Sequence, residues 1–218
     1  MGKNLAITRL YYLDVNCIDK NYDFWYENVS SYRRDKVNRL RVYEDKVRSL
    51  SSEALLRYAL LDNGYNYDNL TVEHSHMGKP DFVEDGIHYN LSHSGDYVLC
   101  GISPYPIGVD IERVRDINLK IIDRFYSSSE GEYLSRFSGE DKLNNFFMIW
   151  SCKESYIKYT GEGLSASLRN FTVDIENLTV TKEDILLDNR LFTFEKNGHM
   201  GSACYKGESI EIREVNLG

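Results

Sequence analysis

The pattern of this 218-residue chain predicts an α+β fold made of two similar α+β halves packed as a pseudo-dimer, and three observations carry it. Strand-like alternation and helix-like periodicity both run through the chain. The order of strand, helices and further strands is met twice. Residues 95–100 leading to Val109-Asp110-Ile111-Glu112-Arg113 are echoed by residues 198–203 leading to Ile210-Glu211-Ile212-Arg213. The halves are expected at residues 1–106 and 107–218, with a ligand site in the cleft between them, because clefts between such units are usual ligand locations. Asp110 lies near the junction.

In chain order, Leu5 to Leu13 alternates as a first strand, and Asp23 to Arg41 reads as one or two helices with Phe24, Trp25, Val37 and Leu40 facing inward. From Glu44 through Leu61 the apolar positions Val47, Leu50, Ala54, Leu55, Tyr58 and Leu61 keep helical spacing, and Asn63-Gly64 supplies a stop signal. Strands are expected at Leu70 to Glu73 and Ile87 to Leu91, separated by the Gly78-Lys79-Pro80 loop. Tyr97 to Ser103 and Ile107 to Arg113 read as an antiparallel pair. The second half offers helices at Leu119 to Phe125, Ser128 to Phe137 and Leu143 to Tyr159. Strands at Phe171 to Ile175, Leu191 to Glu195, Met200 to Tyr205 and Ser209 to Val215 are then expected to form one sheet.

An apolar share of 42% suffices for a real core, and 34 acidic against 26 basic residues argue against nucleic acid or an anionic membrane as the main partner. Within that acidic chain, Arg33 to Arg41 with Lys46 and Arg48 is strongly basic, either a solvated helix face or a seat for a polyanionic small molecule. No run is long enough to span a bilayer and the first residues lack the apolar region of a secretion signal, so a cytoplasmic location is expected. Cys17, Cys100, Cys152 and Cys204 lack paired zinc spacing and are read as reduced. His74 and His76 have no further ligand near them in sequence and are read as exposed.

Two stretches forty residues apart carry the chemistry. In Gly108-Val109-Asp110-Ile111-Glu112 a strand sends both carboxylates to one face and the apolar pair to the other. In Trp150-Ser151-Cys152-Lys153-Glu154-Ser155-Tyr156-Ile157-Lys158 a helix buries its aromatic edge while Glu154 and Lys158, four apart, share a side. Taken singly, each is a common surface feature, since a Glu–Lys pair at that spacing contributes only about 0.2–0.5 kcal/mol. Brought together, three carboxylates crowded into a partly buried site repel one another and lose hydration, and a hard divalent cation is their natural companion.

The two stretches together resemble the paired signature of the 4′-phosphopantetheinyl transferases. Asn90-Leu91-Ser92-His93-Ser94, Gly78-Lys79-Pro80 and the basic helix with Arg48 are similar to the larger, surfactin-synthetase-activating type. What the resemblance implies is transfer of the phosphopantetheine arm of coenzyme A to a serine of an apo acyl or peptidyl carrier protein, with release of adenosine 3′,5′-bisphosphate. It implies Mg²⁺, or Mn²⁺ in its place, held by Asp110, Glu112 and Glu154. Glu154 or a metal-held water would be the base, and Lys158 would stabilise the diphosphate. Arg48, Lys79, Pro80, Ser92, His93, Arg33 and Lys36 match coenzyme-binding positions, with Arg34 or Arg41 as alternatives for the basic pair on the helix. Glu130 matches a further acidic position, yet Ser127-Ser128-Ser129-Glu130 also reads as a helix N-terminus. Ser155 stands where alanine is common, a small-for-small change. A monomer is expected. A non-catalytic coenzyme A or nucleotide-binding module and a Mg²⁺ phosphohydrolase are the competing readings.

Overall fold

The computed structural model describes residues 7–163 and 168–217. Strand β1 (Thr8–Asp14) is followed by α1 (Asn16–Asp19), α2 (Tyr22–Asn28), α3 (Ser31–Arg39) and the long α4 (Tyr43–Asp62). Short strands β2 (Val72–His74) and β3 (Pro80–Phe82) pair as a hairpin, as do β4 (His88–Ser94) and β5 (Tyr97–Ser103). After β6 (Ile107–Arg113) come α5 (Ile122–Phe125), α6 (Ser128–Ser135) and α7 (Gly139–Thr160). The remaining strands are β7 (Phe171–Asp174), β8 (Thr179–Lys182), β9 (Ile185–Leu186), β10 (Arg190–Lys196), β11 (His199–Tyr205) and β12 (Ile210–Val215).

The halves repeat one plan. In the first, β1, β5 and β4 lie in that order with α4 across them; in the second, β6, β11 and β10 do the same with α7 across them. Side-chain alternation then sets the layers. Tyr11, Leu13, Val98, Cys100 and Ile102 point toward α4 and join its core cluster. Their neighbours Leu10, Tyr97 and Leu99 point the other way, where they meet Ile107, Val109, Ile111, Ala203 and Tyr205 from the second sheet. The two sheets therefore share an apolar seam, and the helices cover the outer faces. β12 leaves its own half and pairs in parallel with β1, from Thr8↔Ile210 to Leu13↔Val215. Arg213 fixes it there by an ion pair at 2.7 Å to Asp62 at the end of α4.

Several expectations need correcting. The first predicted strand falls at Thr8–Asp14, its Leu5 start lying outside the described residues. β5 and β6 do not pair; they are consecutive in sequence but belong to different sheets, because each alternates apolar residues into the seam between the sheets. The late strands do not form one sheet either. β7 pairs with β8, β10 and β11 join β6, and β12 crosses to β1. Phe24 is 58% exposed and Leu61 is 73% exposed, so the inward stripes of α2 and α4 are narrower than the apolar pattern suggests. Pro80 starts a strand at the end of the expected loop.

α7 carries the second chemical stretch and ends sharply. Gly161 adopts φ 72°, the left-handed conformation a glycine enters without a Cβ penalty, and its N–H bonds the Ile157 carbonyl at 2.9 Å. Lys158 thus sits in the last turn, a favourable place for a cation against the helix dipole.

Candidate active site

The first requirement is that β6 and α7 come very close. At Gly108 they do so because there is no side chain: a Cβ built there would lie 2.0 Å from the Ser155 carbonyl oxygen and 2.3 Å from the Tyr159 nitrogen. The glycine lets the strand rest on the helix backbone, one turn from Lys158. Two residues on, Asp110 faces α7 and is 4% exposed. Ser151 donates to the Asp110 backbone carbonyl at 3.1 Å and shares a 2.9 Å hydrogen bond with Ser202 on β11, locking strand to helix. Lys158 Nζ donates to Asp110 Oδ1 at 2.8 Å, to the Val109 carbonyl at 3.0 Å and to Ser92 Oγ at 3.0 Å.

The second requirement is that the first half reach the same spot. Along β4 the alternation of Asn90, Ser92 and Ser94 aims three short polar side chains at β6. Asn90 accepts from the Val109 N–H at 2.8 Å, Ser92 donates to Asp110 Oδ1 at 2.9 Å, and Ser94 donates to Glu112 Oε2 at 3.2 Å while accepting from the Arg113 N–H at 3.1 Å. These side chains replace the ladder that the unpaired strand edges lack. Leu91 and His93, on the opposite face of β4, line a cavity of about 530 Å³, to which Asn90 also contributes. One five-residue stretch therefore serves both the carboxylates and the cavity.

The carboxylates are electrostatically strained. Asp110 Oδ2 is buried and has no hydrogen-bond partner, an orphan whose desolvation is uncompensated. Burial raises the Glu112 pKa above the ordinary glutamate value, and the charge of Asp110 raises it further against the opposing pull of Arg115. Glu154 is raised for the same two reasons, with Lys158 opposing and Glu112 adding to the rise. Glu154 thus senses both strand carboxylates, as a shared site requires. Among the described residues, however, no three His, Cys, Asp or Glu side chains converge tightly enough to hold an ion as they stand. The cation at Asp110 is Lys158.

Around the cavity the sign of charge reverses. Arg33 and Lys36 on α3 line it together with Pro80 and His93, while Arg48, Lys79 and Ser92 stand outside its lining. Arg48 is aimed by two acceptors, Asp45 Oδ1 at 2.6 Å and the Gly95 carbonyl at 3.2 Å. Arg33 is held by Glu53 at 3.4 Å and Ser49 at 3.4 Å. Although the His93 ring opens onto the cavity, surrounding protein lowers its pKa first, and the charges of Arg48, Lys158 and Lys36 lower it further. Lys36 is lowered by burial and by Arg33. Lys79, lowered by burial, donates to the Ile107 carbonyl at 3.0 Å, so it braces the start of β6. Arg33 and Arg48 are each paired with a carboxylate, Glu53 and Asp45, so an anionic ligand would share or displace those partners.

Glu130 belongs elsewhere. It closes a capping box with Ser127, accepts from the Val173 N–H at 2.7 Å and pairs with Lys153 at 2.8 Å, both side chains fully buried. Lys153 also donates to the carbonyls of Leu168 and Phe171 at 2.8 and 2.9 Å. The helix-terminus reading of Glu130 is the one the structure supports. Its partner Lys153, inside the second stretch, went unnoticed in the sequence because a lysine on a helix is ordinarily a surface residue. The Ser155 hydroxyl bonds its own helix at the Cys152 carbonyl and leaves Glu154 undisturbed. The cysteines are unpaired, and His74 and His76 are exposed.

Beside Glu112 opens a second groove of about 570 Å³, with an aromatic floor including Phe125 and Trp150 and a basic edge of Arg115, Lys120 and Arg124. Of the three carboxylates, Glu112 lines this groove.

Comparisons with known proteins match segments of both halves. A family model described as the 4′-phosphopantetheinyl transferase superfamily matches residues 106–204, and one described as 4′-phosphopantetheinyl transferase, N-terminal, matches residues 16–104. The 4′-phosphopantetheinyl transferase gsp of Aneurinibacillus migulanus is 36% identical over 168 residues, spanning 76% of this chain and 70% of that protein. The 4′-phosphopantetheinyl transferase Sfp of Bacillus subtilis (strain 168) is 36% identical over 148 residues, 66% of each chain. For psf-1 of Bacillus pumilus the identity is 36% over 146 residues, 66% of this chain and 63% of that one.

Proposed function

The chain belongs to the 4′-phosphopantetheinyl transferases, and from that premise we propose that it transfers the phosphopantetheine of coenzyme A to a serine of an apo acyl or peptidyl carrier protein. The observation that carries the site assignment is Asp110: a buried carboxylate held between both halves, with one oxygen bonded to Lys158 and Ser92 and the other left without a partner. That orphan, beside two glutamates whose pKa is raised, is a donor set suited to a hard divalent ion. Asp110, Glu112 and Glu154 would hold Mg²⁺ or Mn²⁺. Such an ion, when bound, neutralises diphosphate charge and so eases attack at phosphorus.

The chain's own side chains do the rest. Arg33, Lys36 and His93 at the cavity, with Arg48 outside its lining, receive the phosphates and nucleotide of coenzyme A. Lys79 and Pro80 hold the neighbouring loop, and Ser92 lies beside the diphosphate. Lys158, already in the cleft, turns to that diphosphate and stabilises the charge left on the departing adenosine 3′,5′-bisphosphate. The carrier serine attacks the pantetheine-bearing phosphorus, the bridging phosphorus–oxygen bond breaks, and the serine proton passes to Glu154 or to a water held beside it. The groove beside Glu112 admits the carrier, whose acidic surface its basic edge complements. Among the described residues no helix is long and apolar enough to cross a membrane. We place the enzyme in the cytoplasm, as a monomer, without nucleic acid or membrane partners.

The test is intact mass spectrometry of apo carrier domains incubated with the protein, coenzyme A and Mg²⁺. The carrier should gain one phosphopantetheine. Asp110→Ala and Glu154→Gln should abolish the gain while the fold persists by circular dichroism; normal turnover in either refutes the assignment. Release of phosphopantetheine without carrier modification would favour the phosphohydrolase reading, and coenzyme A binding without either would favour the binding module.

A further inference from the structure

Lys158 makes three hydrogen bonds, to Asp110 Oδ1, the Val109 carbonyl and Ser92 Oγ, so every N–H of its ammonium is used. It is thus built into the cleft rather than resting there. Asp110 Oδ1 is correspondingly full, with Lys158 and Ser92 both donating to it, while Oδ2 has nothing. A divalent ion drawn to Oδ2 would stand beside an ammonium bound to the other oxygen of the same carboxylate. Like charges at that range repel strongly away from bulk water.

We propose that Lys158 is the resident counter-ion of Asp110 in the ligand-free enzyme, so that lysine and divalent metal exclude one another there and the metal enters after a diphosphate has drawn the ammonium off. The proposal rests on the metal site assigned above and adds an order of binding to it. Asp110 keeps a positive partner at every stage, first the ammonium and then the metal. The diphosphate supplies the lysine with replacement acceptors and supplies the metal with further oxygen ligands. Coenzyme A and metal must then bind cooperatively, each strengthening the other by one common factor. Lys158 also accounts for the side-chain spacing seen, since it satisfies Asp110 without drawing Glu112 and Glu154 into a closed set.

The probe is Mn²⁺, titrated by electron paramagnetic resonance of the free ion, with and without coenzyme A and with no carrier present. If the lysine holds Asp110 in about nine molecules of ten, metal affinity is reduced about tenfold. Lys158→Met should therefore bind Mn²⁺ about tenfold more tightly than the unaltered protein in the absence of coenzyme A, with Lys158→Gln as the second variant should the first misfold. Coenzyme A should tighten Mn²⁺ binding by a similar factor in the unaltered protein and by clearly less in Lys158→Met. Arg115→Met removes a solvent-screened cation 3.4 Å from Glu112 but touches nothing on Asp110, so it should tighten Mn²⁺ binding by clearly less than either Lys158 variant. Equal tightening in Arg115→Met, or none in either Lys158 variant, overturns the exclusion and leaves the metal site standing. Absence of Mn²⁺ binding in every protein, with coenzyme A present, overturns the metal site and the exclusion together.

Discussion

Lys153→Met keeps the length of a fully buried side chain and removes its charge. The ammonium lost has three partners within 2.9 Å: Glu130, the Leu168 carbonyl and the Phe171 carbonyl. It also lies 4.4 Å from the Phe171 ring centroid, a cation–π contact in a dry setting. Burial alone depresses the Lys153 pKa and the Glu130 charge opposes that, so the pair survives through mutual support. Removing one member of such a pair leaves an uncompensated buried charge and costs about 3–5 kcal/mol. For a chain of this size each kcal/mol shifts the melting temperature by about 2–4 °C, so a fall of roughly 6–20 °C is expected. Urea denaturation followed by fluorescence should move its midpoint by about 2 M at a typical slope near 2 kcal/mol/M. Pairing Lys153→Met with Glu130→Gln, which keeps an acceptor for the Val173 N–H, should restore a large part of the loss, because no lone charge then remains. A single variant melting within about 2 °C of the parent, or a double variant losing the sum of both singles, would refute the buried-pair account.

Gly108→Ala should lower transfer sharply and cost about 1–3 kcal/mol or more, since the new Cβ overlaps backbone atoms of α7 that cannot rotate away; unchanged activity and melting would count against the close approach. The Glu112 pKa is raised in the folded protein, so the native state holds that proton more tightly than the unfolded chain and loses stability as pH rises from the ordinary glutamate range through the raised value. Glu112→Gln should accordingly stabilise the ligand-free protein near neutral pH and lose that advantage below the ordinary range, as read from melting temperature against pH. Arg48→Ala should raise KM for coenzyme A more than it lowers kcat at saturation, and steady-state kinetics with an unchanged KM would exclude Arg48 from the nucleotide seat.

The two chemical stretches were legible because their spacing encodes geometry locally. Alternation in residues 108–112 does send Val109 and Ile111 one way and Asp110 the other, and helical spacing does hold Glu154 and Lys158 on one α7 face. Most strands and helices were likewise readable, each within a few residues. Strand partners were not. The expected β5–β6 pair looked natural from a short turn and two alternating runs, but the apolar faces of both strands were needed in the seam between the sheets. The role of Ser94 and Asn90 was hidden for a similar reason, since a short polar side chain becomes a stitch only once a foreign strand edge lies opposite it. Charge misled in two places. Lys153 reads as surface and is buried, and Arg48, read as part of a basic stretch, is steered by Asp45 and the Gly95 carbonyl.

By itself, then, the order of residues determined which short segments carry acids, bases and cations, the family they resemble, and the α+β character of two related halves. Only the tertiary structure decided that β12 returns to β1, that Lys158 neutralises Asp110, and that Glu130 and Lys153 form a buried anchor. The division follows from range. Periodicity is a property of neighbours along the chain, whereas burial, desolvation and the choice of ionic partner depend on segments that come together only when the two sheets close on one core.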